Sequence, residues 1–130
     1  SNNFYALRYA DILLAQAEAL NEVGYQASGE AFQHLNTVRA RAGLEALDAI
    51  DLPDQASFRN AIYLERRLEL AMEAKRWYDL LRSGMAISEI ANYDGNDGAT
   101  IVINENDLLF PIPEGEILNN PDVIEQNPGY

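Results

Sequence analysis

Residues 58–81 read FRNAIYLERRLELAMEAKRWYDLL, and this stretch decides the fold predicted for the chain. Two apolar rows recur in it at helical spacing, so a helix formed here would be apolar over much of its surface. The rows are Leu64, Leu68, Ala71, Tyr78 and Leu81, and beside them Leu70, Ala74, Trp77 and Leu81. Such a helix must be covered on two sides. We therefore predict a central helix with earlier helices on one side and later segments on the other, and we expect Trp77 in the core.

The same stretch carries three carboxylates at every fourth residue, Glu65, Glu69 and Glu73, which would repel one another if left alone. We expect their partners among the neighbouring basic residues, in a partly buried network in which each charge needs a mate. Those residues are Arg66, Arg67 and Arg76. The alternative is an acid and base pair made by Glu69 and Glu73. Glycosidase carboxylates normally face a sugar from opposite sides, so the prediction is a structural network and no catalytic residue.

With 130 residues, 48% of them hydrophobic, the chain can bury one core, so residues 1–130 are expected to form a single domain or a piece of one. The sequence starts with Ser-Asn-Asn and has no methionine there, which fits either a cloning scar or a cut chain. There is no cysteine, so the chain offers no disulfide, thiolate nucleophile or lipid attachment point. Cysteine usage therefore does not indicate whether the chain works in an oxidising or a reducing compartment.

The net charge is −12 and is unevenly spread. Residues 1–82 carry 12 acidic and 9 basic side chains, whereas residues 83–130 carry 9 acidic and no basic ones. Nucleic acid and anionic membranes are poor partners for such a surface, so neither is expected. The acidity is compatible with neutral ligands such as sugars but does not argue for them.

Two helices are predicted before the central one, over residues 5–23 and 30–42. Gly24 is expected to stop the first and Gly43 to end the second in a left-handed conformation. Alanines keep the first helix thin, so the two can approach closely as in tetratricopeptide-like hairpins. Its charged residues are expected on a solvated face; they are Arg8, Asp11, Glu18 and Glu22.

Asp54 or Ser57 is the expected cap of the central helix, and a short fourth helix is predicted over residues 85–91. The predicted fold class is therefore all-α, a tetratricopeptide-like bundle of about four helices. Residues 109–130 follow as LFPIPEGEILNNPDVIEQNPGY, where prolines force an extended path and only residues 114–118 can form a helical turn. This proline-rich tail cannot fold alone and is expected to pack on the bundle.

Two patterns partly resemble metal sites. His34 lies four residues after Glu30, but two ligands do not make a site. Residues 94–105 imitate a calcium loop at Asp94 and Glu105, yet the sharp-turn glycine is one place early at Gly98. We therefore expect neither a metal nor another cofactor.

Four blocks of the sequence together resemble the C-terminal region of the SusD/RagB family. They are RYADILLAQAEALNEVG, LNTVRARAGL, AIYLERRLELAMEAKRWYDLLRSG and LLFPIPEGEILNNPDVIEQNPGY, which cover nearly the whole chain. The third and fourth blocks are the most specific. Two small departures from the family pattern are Ala74, where glycine is commoner, and Glu125, which precedes the Gln-Asn-Pro-Gly-Tyr end.

The resemblance implies a surface-exposed outer-membrane lipoprotein of a Bacteroidetes-type bacterium that captures glycans or other nutrients. It implies a SusC-like TonB-dependent transporter as partner, glycan binding through the full-length protein, membrane attachment only through a lipid anchor outside this chain, and no enzymatic activity. The aromatic platform of the family lies chiefly on other segments, so no binding residue is assigned here. A tetratricopeptide-like protein-interaction scaffold without sugar binding is the alternative. A hydrolase using Glu69 and Glu73 is the third, less favoured class.

Overall fold

The computed structural model describes residues 5–92 and 101–130, and within these ranges the chain is helical with no β-strand. The chain divides into two compact units, Ser1–Arg76 and Trp77–Tyr130. Six α-helices and one 3₁₀ turn lie in the described ranges: α1 Tyr9–Val23, α2 Glu30–Arg41, α3 Gln55–Glu69, α4 Arg76–Arg82, α5 Ala86–Ala91, the 3₁₀ turn Glu105–Leu108 and α6 Glu114–Asn119. The all-helical prediction is confirmed.

The first unit is built on a hairpin of α1 and α2, with α3 packed against α1. Its core holds buried aliphatic side chains around Phe32 and Phe58, whose ring centroids lie 4.6 Å apart. The other core members are Leu13, Leu14, Ala17, Ala31, Leu35, Val38, Leu52 and Ile62. Two helices in hairpin contact and a third against the first match the predicted tetratricopeptide-like arrangement.

Local signals set several helix ends as predicted. Asp54 caps α3 by accepting a hydrogen bond from the Ser57 amide, and the Ser57 side chain completes the capping box. Gly43 follows α2 with φ of +75°, the left-handed conformation that glycine adopts without steric cost. α1 begins at Tyr9 and not at residue 5, because the backbone of Arg8 is extended.

The prediction of one helix over residues 58–81 is wrong. α3 ends at Glu69 and α4 begins at Arg76, and between them Met72 and Ala74 adopt positive φ values of 66° and 56°. Left-handed residues cannot continue a right-handed helix, so the chain turns here. The position where glycine is commoner in the resembling family is thus a position where the backbone favours glycine.

Because of this break, the two apolar rows do not continue along one helix. Leu64 and Leu68, on one row of α3, are 54% and 60% exposed within the structure. Trp77 is half-buried and not a fully enclosed core residue, since the turn at residues 70–75 takes it out of register with Leu70 and Ala74.

In the second unit, the last residues fold back on the proline-rich segment through hydrogen bonds from side chains to the backbone. The Gln126 amide accepts from the Ile112 N–H at 2.8 Å and donates to the Ile112 carbonyl at 3.0 Å. Asn127 donates to the Phe110 carbonyl at 2.7 Å, and the Tyr130 hydroxyl donates to the Leu109 carbonyl at 3.2 Å. The predicted single turn after Pro113 is present as α6. The packing of the tail on the bundle stays a prediction.

Candidate functional site

A cluster of nine charged side chains lies where the start of α1 meets the ends of α2 and α3. We call it the ionic cluster, and its members are Arg8, Asp11, Arg39, Arg41, Glu65, Arg66, Glu69, Glu73 and Lys75. All belong to the first unit. Five cations meet four carboxylates, so the cluster is close to neutral.

Arg8 is the hub of the cluster. Its Nε donates to both Glu73 carboxylate oxygens at 2.8 and 2.9 Å, and its terminal nitrogens donate to the carboxylate and the main-chain carbonyl of Glu69. The hydrogen bond to Glu73 raises the pKa of Arg8 above its usual value in spite of partial burial. Arg8 therefore pairs the last two carboxylates of the stretch and also caps the C-terminus of α3, where carbonyls lack helical partners.

Asp11 is the buried anion on α1, with 6% of its surface exposed. Its two oxygens contact Arg66 at 2.8 Å and Lys75 at 3.2 Å. Burial pushes the pKa of Asp11 upward, but the hydrogen bonds from Arg66 and Lys75 outweigh it and hold the pKa below its ordinary value. Lys75 also donates to the carbonyl of Ala6 at 2.5 Å, so the segment after α3 is tied to the start of α1.

The structure adds partners from outside the stretch to the predicted network. Glu65 pairs with Arg39 of α2 at 3.0 Å, and Glu69 pairs with Arg41 as well as with Arg8. Two cations of the stretch itself, Arg66 and Lys75, contact Asp11 of α1. Arg8 and Asp11 were expected on a solvated face and are instead members of this network.

An acid and base pair needs one carboxyl group that holds a proton and an open space for substrate. Glu69 has a side chain that is 6% exposed and receives two guanidinium groups, and the nearby Glu73 receives a third contact from Arg8. Both carboxyl groups are thus occupied by contacts with arginine side chains. The geometry supports a structural role for the motif.

The metal patterns give no assembled site. His34 Nε2 lies 3.3 Å from Glu30 Oε1 without making a hydrogen bond, and no third ligand joins this pair. In residues 5–92 and 101–130, no group of three or more histidine or carboxylate side chains is arranged to hold a metal ion. The calcium-like loop falls mostly on residues 93–100, which lie outside the described residues.

An open groove of about 290 Å³ lies between α1 and α2 above the ionic cluster. We call it the α1–α2 groove, and it is lined by Arg8, Tyr9, Ala10, Leu13, Thr37, Val38 and Arg41. Its floor is apolar, and Tyr9 at its edge is 73% exposed. Both arginines already pair with carboxylates of the ionic cluster, so the groove favours an apolar guest over an anion.

Sequence reasoning placed no residue in this groove. Tyr9 and Leu13 lie four apart on α1, and Thr37 and Arg41 lie four apart on α2, so each pair follows helical spacing. The pairing of the two helices, which puts these rows side by side, is set by tertiary packing and is not visible from either helix alone.

Solved structures similar to this chain include two whose names state a ligand. The surface glycan-binding protein A from Bacteroides thetaiotaomicron superposes with a TM-score of 0.77 at 32% identity, over 99% of this chain and 25% of that one. A laminarin binding SusD-like protein superposes with a TM-score of 0.64 at 36% identity, over 97% of this chain and 23% of that one.

Among curated proteins, the SusD-like protein P2 from Formosa agariphila is 36% identical over 135 aligned residues, which cover 100% of this chain and 26% of that protein. The chain thus spans about a quarter of the length of the relatives it matches. The model of the SusD family matches residues 1–130. The helical hairpin, the carboxylate motif held by α1 and α2 and the folded-back tail are therefore those of a family member: this chain belongs to the SusD family.

Proposed function

We propose that this chain is the C-terminal scaffold of a longer SusD-like protein that captures glycans for uptake. The observation that carries the proposal is the match of the SusD family over residues 1–130, joined by two similar structures, one named a surface glycan-binding protein and the other a laminarin binding SusD-like protein. The chain corresponds to about a quarter of such proteins, so the ligand site is assigned to the whole protein and not to these residues.

The contacts of the loop and terminal tyrosines that the sequence offered as possible sugar contacts support the scaffold role. A sugar platform needs exposed aromatic faces with polar groups around them. Tyr25 packs edge-on against Phe32 and its hydroxyl donates to the Leu52 carbonyl at 2.6 Å, so it serves the core. Tyr130 is bound to the backbone of the tail through its hydroxyl. The third loop tyrosine that the sequence offered, Tyr93, lies outside the described residues.

The proposed setting is the outer surface of the outer membrane, with a SusC-like TonB-dependent transporter as partner. Attachment would come from a lipid anchor on the longer protein. None of the helices in the described ranges is long and apolar enough to cross a membrane. The transporter would receive the captured ligand, and this chain would hold the helices that shape the capture protein.

The proposed function is binding without catalysis. Glu69 and Glu73 are the carboxylates closest to a catalytic arrangement. Both form ion pairs with arginines, Glu69 with Arg8 and Arg41 and Glu73 with Arg8, which favours a structural role for them over a catalytic one. Replacing Glu69 by glutamine should therefore lower the melting temperature and release no reducing ends in either form. Hydrolysis of a polysaccharide that Glu69→Gln abolishes at unchanged melting temperature would contradict this.

Affinity electrophoresis and calorimetry of two proteins test the proposal, namely this chain and the longer protein that contains it. Laminarin and a panel of other polysaccharides are the probes. We expect the longer protein to bind at least one polysaccharide and the 130-residue chain to bind it weakly or not at all. Equal affinity would place the site within this chain. No binding by the longer protein to any polysaccharide would contradict the capture function.

A protein-interaction scaffold that binds no sugar is the second candidate. It is favoured by the apolar outer side of α1, where Val23 is 91% and Ile12 43% exposed. A longer protein that binds the transporter but no polysaccharide would support it. The two candidates differ only in whether the longer protein binds a polysaccharide, so the binding measurements on that protein decide between them.

A further inference from the structure

The turn after α3, residues 70–75, is built from residues that favour helix. Residues 69–76 read ELAMEAKR, and every one of these residue types belongs to the group with the strongest helix propensity. Neither glycine nor proline interrupts residues 58–82. Yet Met72 and Ala74 adopt the left-handed conformation, which residues other than glycine rarely occupy. Local preference and observed conformation therefore conflict here, and such a conflict is typical of a strained or functional segment.

The segment before α1 makes the long-range contacts that hold this turn. We call residues 6–8 the strap. The Arg8 guanidinium donates to both carboxylate oxygens of Glu73 at 2.8 and 2.9 Å, and Lys75 donates to the Ala6 carbonyl at 2.5 Å. The strap thus binds the turn at two of its residues.

A further contact of Arg8 competes directly with helix formation. In a continuous helix the Glu73 N–H would donate to the carbonyl of Glu69, four residues earlier. In the structure Arg8 donates to that carbonyl, and the Glu73 N–H donates to the Leu70 carbonyl at 3.2 Å. Arg8 therefore caps α3 at the point where the helix would otherwise continue.

The strap lies at the surface, so it can open while the core of the first unit stays packed. Ala6 and Leu7 are exposed, and the side chain of Arg8 is 27% exposed. Segments with little buried apolar surface open locally at a low free-energy cost. Glu69 keeps a second cation, Arg41, when Arg8 leaves. Opening the strap therefore does not leave the buried Glu69 carboxylate without a partner.

We propose that residues 70–75 are a two-state element that the strap controls. With the strap closed, the segment is the left-handed turn of the structure. With the strap open, the segment becomes helical and continues α3. The residue types of the segment favour the helix, whereas the contacts of Arg8 and Lys75 favour the turn. Any event that draws Arg8 away from Glu73 is thereby converted into a change in the length of α3.

Amide hydrogen exchange tests the inference, because two roles of the strap predict effects of opposite sign. If the strap only stabilised the fold, its loss would lower the protection of nearby amides. If it holds the turn against helix formation, its loss raises the protection of residues 71–75, where helical hydrogen bonds form. Arg8→Ala opens the strap. The matched control is Arg59→Ala, which breaks a two-point pair between α3 and Glu22 of α1.

Both variants are made in the longer protein that contains this chain, and protection factors are measured by mass spectrometry of overlapping peptides. We expect the protection factors of residues 71–75 to rise by at least about tenfold in Arg8→Ala and to stay unchanged in Arg59→Ala. Unchanged or lower protection of residues 71–75 in Arg8→Ala, in a first unit that is otherwise still protected, would overturn the inference.

Glycine at position 74 gives a second test. It accepts the left-handed conformation without steric cost and disfavours helix, so adding Ala74→Gly to Arg8→Ala should remove most of the gained protection. The same high protection in the single and the double variant would overturn the inference, because the protection would then not come from a helix through position 74.

Glu73→Ala keeps the inference testable if Arg8→Ala lowers protection throughout the first unit. It breaks the strap from the other side and leaves Arg8 paired with Glu69. We expect protection of residues 71–75 to rise, by less than in Arg8→Ala because the contact of Arg8 with the Glu69 carbonyl remains. Unchanged or lower protection in Glu73→Ala would overturn the inference. Glycan binding enters none of these measurements, so failure of the proposed ligand function would leave them interpretable.

Discussion

The first unit is held by a buried core and by the ion pairs of the ionic cluster, whereas in the second unit side chains bind the backbone of the tail. Phe58, Leu14, Leu35 and Ile62 are fully enclosed in the first unit. In the described part of the second unit, the buried apolar side chains are Leu80 and Ala86, and the tail is closed by Gln126, Asn127 and Tyr130. Prolines at positions 111, 113, 121 and 128 limit the tail to one short helix, α6, so backbone groups outside it are bound by polar side chains.

This contrast explains why the two most specific blocks of the family look so different. The block around Glu65 and Glu69 carries charges that pair with Arg39 and Arg41 of α2. The block that ends in Gln-Asn-Pro-Gly-Tyr carries amides that bind backbone groups of the tail. Gly129 lies in the same Gln-Asn-Pro-Gly-Tyr segment. Its φ is +98° and a Cβ there would lie 2.8 Å from the Cβ of Asn106, so the position requires glycine.

The largest expected effect comes from breaking the core of the first unit. Phe58→Ala removes a side chain with no exposed surface that packs on Phe32, and it should lower the free energy of unfolding by about 4 kcal/mol. Tyr78→Ala, at a tyrosine that is 62% exposed, is the matched control and should cost far less. Urea unfolding followed by circular dichroism measures both. Equal losses would show that burial does not separate the two positions.

Breaking the ionic cluster should come next. Asp11→Asn removes the buried negative charge that contacts both Arg66 and Lys75, and it should cost about 3 kcal/mol. Glu22→Gln, which breaks the more exposed pair with Arg59, is the control and should change stability little. Chemical unfolding of both variants compares them. If Asp11→Asn left the free energy of unfolding unchanged, the ion pairs of Asp11 would not contribute to stability.

Acid should reproduce part of the Asp11 effect, and the sign follows from the direction of the pKa. The folded state holds the pKa of Asp11 below the ordinary value of 3.8, so the stabilisation by this group is present above pH 3.8 and is lost as the pH falls further. The difference in melting temperature between the natural sequence and Asp11→Asn should shrink below that pH. A difference that stays constant down to pH 2 would contradict the assignment.

A smaller effect is expected in the second unit, where hydrogen bonds replace the core. Gln126→Ala removes both bonds to Ile112 and should cost about 1–2 kcal/mol. Gln126→Glu keeps the acceptor for the Ile112 amide but loses the donor to its carbonyl, so its effect should be intermediate. Amide hydrogen exchange at Ile112 reports directly on the hydrogen bonds with Gln126. If exchange at Ile112 were as slow in both variants as in the original chain, these bonds would not hold the tail.

The smallest effect has the opposite sign. Ala74→Gly relieves a left-handed alanine and should raise stability by about 0.5 kcal/mol. Ala15→Gly, within α1 and on its exposed side, is the control and should lower stability by about 0.5–1 kcal/mol. Thermal unfolding of the two single variants gives the comparison. A destabilising Ala74→Gly would mean that the turn after α3 gains from the alanine side chain.

Much of the local structure could be predicted from the sequence because its causes are local. The capping box of Asp54 and Ser57 spans three residues, and the left-handed end of α2 needs only Gly43. The four sequence blocks that indicate the family can likewise be recognised from the order of their residues alone. The α1–α2 groove could not be predicted, because it is lined by residues of two helices, among them Tyr9 of α1 and Thr37 of α2.

By itself the sequence determined the helical class, the family and the need for a charged network around Glu69. Only the tertiary structure decided which cations complete that network and where the long helix breaks. Arg8 lies 61 residues from Glu69, and it binds both the carboxylate and the last carbonyl of α3. Spacing along one helix reports on neighbours three or four residues away, so it predicted partners within the stretch and a continuous helix, and it did not reveal Arg8, Arg39 or Arg41. A contact across 61 residues depends on how three helices pack together, which no spacing within one helix reports.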